Sequence, residues 1–151
     1  MTLSIYTILF WLLLSLLLLE KKHLHNKLLA FTFMTAVFLN THVFLVIADP
    51  LKLLKVTQEP VDYISFVMYR SFITPLLITY VVNMIFNKKR RLVVPLLFSI
   101  LFFWLLDLFN MKQEIITYEK WTSFYTISYL TTLLLLCCLS VKLFKKKGWV
   151  S

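Results

Sequence analysis

Two apolar runs separated by four positive charges decide how this chain is read. They are YISFVMYRSFITPLLITYVVNMIFN over Tyr63–Asn87, KKRR over Lys88–Arg91, and LVVPLLFSILFFWLLDLFN over Leu92–Asn110. Each run exceeds the roughly 17 residues a helix needs to cross a hydrocarbon core. Neither alternates as a barrel strand would. A bilayer leaves backbone polar groups no outside partner, so the runs read as spanning helices. The basic block between them reads as a short connection on the cytoplasmic side.

Working outward, three further runs fit the same description: Leu3–Leu19, Leu28–Ala48 and Trp121–Phe144. The whole 151-residue chain is 60% hydrophobic and only 15% charged. Its mean hydropathy is +0.83. A soluble domain of this length could not hide so much apolar surface in one core. The fold class expected is all-α: one polytopic membrane bundle over residues 1–151, with five transmembrane helices. The first run has no basic residue ahead of it, and Lys21 and Lys22 follow it. It reads as a retained span, not a cleaved signal peptide.

The basic residues give an orientation. Lys21, Lys22, Lys27, Lys88, Lys89, Arg90, Arg91, Lys142, Lys145, Lys146 and Lys147 fall on one face, eleven in all, against four (Lys52, Lys55, Lys112, Lys120) on the other. The bias predicts the N-terminus outside and the C-terminus in the cytoplasm. The net charge of +9 is therefore topogenic, not a nucleic-acid footprint. The blocks Lys88–Arg91 and Lys145–Lys147 are expected to meet anionic headgroups. The outer connections, Pro50–Pro60 and Met111–Lys120, are short. Leu51, Leu53, Leu54 and Val56 would let the first lie along the interface. Tyr118, Trp121 and Tyr125 read as an interfacial aromatic belt.

Several chemistries find no motif. The chain has one glycine, Gly148, so glycine-rich phosphate loops are excluded. It contains neither H-E-x-x-H nor C-x-x-C. Cys137 and Cys138 are neighbours on a helix, about 100° apart, and read as small apolar residues. No metal, cofactor or catalytic residue is expected.

The candidate site is a set of polar groups inside the spans: Arg70, Asp107, His42 and Asn40. An ionisable residue within a span is a site candidate by default. At 1.5 Å per residue, Asp107, His42 and Arg70 lie roughly 5, 9 and 10–11 Å below the outer end. A short link makes the third and fourth spans neighbours, so an Arg70–Asp107 ion pair with His42 close by is expected. Pro75 removes one helical bond, frees the carbonyl of Ser71 and kinks the span beside Arg70. Such a cluster reads as a clamp between helices, or as an outward-facing ligand site.

From Asp62 to Lys147 the pattern also resembles a known family. The carriers are D-Y-I-S-F, mid-span Pro75, I-F-N-K-K-R-R, Asp107, I-I-T-Y-E-K-W at Ile115–Trp121, and F-Y-T-I-S-Y at Phe124–Tyr129. The chain resembles a family of small, uncharacterised five-span membrane proteins of spore-forming Gram-positive bacteria. In that family a Leu-Ile-x-Tyr-x-x-Trp segment leads into the last helix. Ile115, Ile116, Tyr118 and Trp121 match it, and Asp107 stands near a usual glutamate. The resemblance implies a bacterial cytoplasmic membrane and no assigned activity. The function expected is a non-enzymatic accessory or interaction component. It would meet the lipid bilayer, other membrane proteins or itself, and no nucleic acid. The alternative is a small transporter or channel using Arg70, Asp107 and His42.

Overall fold

A computed structural model describes residues 2–20, 22–87 and 93–146. Lys21, Lys88, Lys89, Arg90, Arg91 and Lys147, read from the sequence as topogenic, lie outside the described residues. The architecture is all-α and, among the described residues, has five helical segments long and apolar enough to cross a membrane. They are α1 (Thr2–Leu19), α2 (Asn26–Ala48), a composite third segment (Pro60–Ile85), α5 (Val93–Lys112) and α6 (Ser123–Lys146). Each begins and ends within three residues of the expected span.

The third segment is itself α3 (Pro60–Met68), a π-helical turn (Tyr69–Ile73) and α4 (Thr74–Ile85). Pro60 opens it at a position where the missing N–H costs nothing. Every residue from Ile73 to Met84 is buried. The reason is position: α4 touches α1, α2, α5 and α6 and is the axis around which they stand. The outer helices bury a stripe and expose the rest. On α5 the stripe is Ser99, Phe103, Leu106, Asp107 and Asn110, the spacing of one helical face.

Two short strands, β1 (Leu54–Val56) and β2 (Ile116–Tyr118), were not anticipated. They pair antiparallel, Leu54 opposite Tyr118 and Val56 opposite Ile116. Both read apolar–polar–apolar or apolar–polar–aromatic, so alternate side chains turn inward. Leu54 and Ile116 are buried, and Lys55 and Thr117 are exposed. Of the leucines in the first connection, Leu54 is buried in this pairing and Leu51 stays exposed. The first connection joins the second in a lid over the bundle. The two approaches are built alike, each with a left-handed residue two positions before its strand: Lys52 (φ 47°) and Glu114 (φ 54°). At α5 the Glu114 amide returns to Met111 (3.1 Å) and the Ile115 amide to Asn110 (3.0 Å). That is a Schellman stop with glutamate in glycine's usual place.

The helix ends sort into two groups. At the lidded end Thr2 donates to Asp62 (2.5 Å) and Tyr6 to Asn110 (2.6 Å). This brings the start of α1 beside the start of α3 and the end of α5. At the opposite end the amides of His23 and Leu24 donate to Asn83 Oδ1. Phe31 of α2 stacks on Phe144 of α6 there, with ring centroids 4.4 Å apart.

Candidate functional site

The four candidate residues do not form one cluster. Adjacent helical residues diverge by about 100°, and the divergence falls between Tyr69 and Arg70. Tyr69 is buried against Tyr6 of α1, with ring centroids 6.3 Å apart. Arg70 turns the other way, toward α2 and β1. Asp107, on the buried stripe of α5, meets β2 and α6 instead. Arg70 and Asp107 therefore make no salt bridge. Among the described residues the ion pair present is Lys55–Glu119 at 2.5 Å, across the lid. His42 is exposed on α2. It bonds the Phe38 carbonyl (2.8 Å) and stacks on the Phe38 ring, away from both charges.

Asn40 is the residue that joins helices. It is fully buried. Its Nδ2 donates to the Arg70 carbonyl (2.6 Å), and its Oδ1 accepts from the Tyr129 hydroxyl of α6 (2.9 Å). The need for it arises in the π-helical turn. In an α-helix the Thr74 amide would serve the Arg70 carbonyl, but here it serves Tyr69. The π-register partner would be Pro75, which has no N–H. The Arg70 carbonyl is thus left without a donor from its own helix, and Asn40 supplies one from α2. The sequence alone predicts a freed carbonyl on Ser71; in the π register the missing proline donor falls opposite Arg70 instead.

Asp107 sits at the end of a directed chain. Trp121 Nε1 can only donate, and it donates to Thr126 Oγ1 (2.8 Å). Thr126 lies 2.9 Å from the Tyr118 hydroxyl, which donates to Asp107 Oδ1. The order of donors therefore runs Trp121, Thr126, Tyr118, Asp107, and each bond polarises the next. Asp107 Oδ2 has no hydrogen-bond partner. Burial first, and then the bond to Asp107, push the Tyr118 hydroxyl well above the usual tyrosine range. Tyr118 and Trp121 fasten the lid to α5 and α6. Tyr125, by contrast, is exposed. Glu119, next in the lid, is held below the usual glutamate range by its hydrogen bond to Lys55 and by that lysine's charge.

Arg70 opens into a cleft of about 420 Å³ between the end of α2 and the start of α3, with β1 over it. Tyr63, Phe66 and Arg70 share one face of the third segment. Phe44, Leu45 and Ala48 form the opposite wall, and Asp49, Lys55 and Gln58 also line the cleft. The guanidinium reaches back over the Phe66 ring, 5.4 Å from its centroid. Its Nε is buried and makes no hydrogen bond. The volume falls within the usual range for small-ligand sites. A partly buried cation between aromatic walls can hold an oxyanion. The sequence marked Arg70 but not this cleft, because its walls come from three segments separated along the chain.

No family model, no curated protein and no solved structure matches this chain.

Proposed function

We propose that this chain is a five-span protein of a bacterial cytoplasmic membrane, without catalysis of its own, acting as a small accessory or interaction component. One observation carries the reading. Four long apolar helices surround a fifth and leave wide apolar faces uncovered. Trp11, Leu18 and Leu19 of α1, and Leu97, Leu101 and Leu105 of α5, are all exposed. Patches of that extent belong against lipid or another membrane protein. The basic residues favour an N-terminus outside, which puts the lidded end outside and the Lys145–Lys146 end in the cytoplasm.

Reporter fusions after residues 24, 56, 89, 115 and 151 test the topology. The expected signals alternate, beginning in the cytoplasm; a cytoplasmic signal at both 56 and 115 overturns it. Mild detergent extraction tests the accessory role, where a stable stoichiometric partner is expected. A homo-oligomer with a continuous polar path would favour transport. The transport reading has lost its shared site, since Arg70, Asp107 and His42 face three different surroundings. What supports a ligand site is the cleft over Arg70.

A further inference from the structure

We infer that the Arg70 cleft binds the phosphate of an anionic phospholipid headgroup, with the guanidinium on the phosphate oxygens and the aromatic walls against the lipid's apolar part. The inference rests on the membrane reading above. The first observation is an unmet donor. Arginine has five N–H donors in a rigid fork that matches an oxyanion. No side-chain hydrogen bond satisfies that fork here, and the buried Nε is left without an acceptor. A half-buried cation without an acceptor is costly, and an incoming oxyanion removes the cost.

The second observation is charge. Three charged residues line the cleft: Asp49, Lys55 and Arg70. Lys55 is committed to Glu119 at 2.5 Å. Asp49 is exposed at the end of α2, beyond ion-pair distance of Arg70. The cationic group left without a partner is one guanidinium. One positive charge suits a singly charged phosphodiester better than a multiply charged free phosphate.

The third observation is the walls. Phe44, Leu45, Tyr63 and Phe66 offer apolar and aromatic surface to whatever the phosphate carries. A free phosphate has no use for that surface; a glycerolipid does. The basic end, Lys145 and Lys146, also attracts anionic lipid, but at the far end of the bundle, so dependence on Arg70 separates the two.

The test uses the full chain in phosphatidylcholine nanodiscs, titrated with dioctanoyl phosphatidylglycerol and read by thermal unfolding and native mass spectrometry. Saturable binding is expected with the anionic lipid and not with dioctanoyl phosphatidylcholine. Affinity should fall at least tenfold in Arg70→Gln. It should fall similarly in Leu45→Trp, which fills the cleft and leaves Arg70 in place. Leu45 is half exposed, so this second variant keeps the test open if Arg70→Gln fails to fold. The double variant Lys145→Gln/Lys146→Gln should retain the binding. Equal lipid affinity in the wild type and both cleft variants overturns the inference. Arg70-dependent binding of inorganic phosphate without lipid binding overturns the lipid as occupant and assigns the site to the free anion. Both readouts are independent of orientation, so a failed topology and a failed lipid site remain distinguishable.

Discussion

The Tyr118 hydroxyl helps tie the lid to the bundle, because it donates to Asp107 and neighbours Thr126. Tyr118→Phe leaves a buried carboxylate oxygen and a threonine short of a partner. The expected loss is about 1–3 kcal/mol near neutral pH, read by thermal or denaturant unfolding in detergent. The pH dependence has a definite sign. Folding raises the Tyr118 pKa above the unfolded value of 10.0. Below that value both states keep the proton and the contribution is complete. Above it the unfolded chain ionises first, so the contribution falls as pH rises. The gap between wild type and Tyr118→Phe should therefore narrow from pH 8 to pH 11. A gap that widens would contradict the buried, proton-donating hydroxyl described here.

At the scale of the element, the π-helical turn is the feature that shapes the third segment. It creates the carbonyl that Asn40 serves. Asn40 and Pro75 should therefore be coupled. Asn40→Leu in the wild type strands the Arg70 carbonyl and the Tyr129 hydroxyl. The expected cost is about 1–3 kcal/mol. In a Pro75→Ala background, residue 75 regains an N–H that can serve Arg70. Asn40→Leu should then cost less, by about 1 kcal/mol, the worth of one hydrogen bond. Strictly additive costs in that double-mutant cycle would show that Asn40 does not substitute for the missing proline donor.

For the molecule as a whole, the proposed orientation rests on the basic residues that separate the apolar segments. Lys88, Lys89, Arg90 and Arg91 are the densest such block in the sequence, between the third and fourth apolar runs. Basic residues within about 20 residues of span ends dominate orientation. Replacing all four with glutamine should give mixed orientation or reduced abundance, measured with the same reporter fusions and by immunoblot. Unchanged topology and level would move the block's role to lipid or partner binding. The lid adds a constraint of another kind. β1 and β2 come from connections about 60 residues apart, yet they pair in register. The two connections therefore share an end of the bundle, as an alternating path of five helices requires.

The five helices and nearly all their limits were legible because length and apolar composition are local properties, and a helix satisfies its own backbone. The polar candidates were legible for the same reason: Arg70, Asp107, His42 and Asn40 each stand out within an apolar run. Their partners were not legible, because a partner depends on which face of a helix meets which neighbour. One step along the chain, from Tyr69 to Arg70, changes the facing helix, and a π turn shifts that phase by an amount no hydropathy pattern records. The separation of Arg70 from Asp107, the service of Asn40 to a stranded carbonyl, and the chain from Trp121 to Asp107 all follow from that rotational phase. The lid is a further case. Leu54–Val56 and Ile116–Tyr118 are too short to announce themselves as strands, and each becomes one only when the other supplies its hydrogen bonds. Sequence determined what each segment is; packing decided which way each one turns and what it meets there.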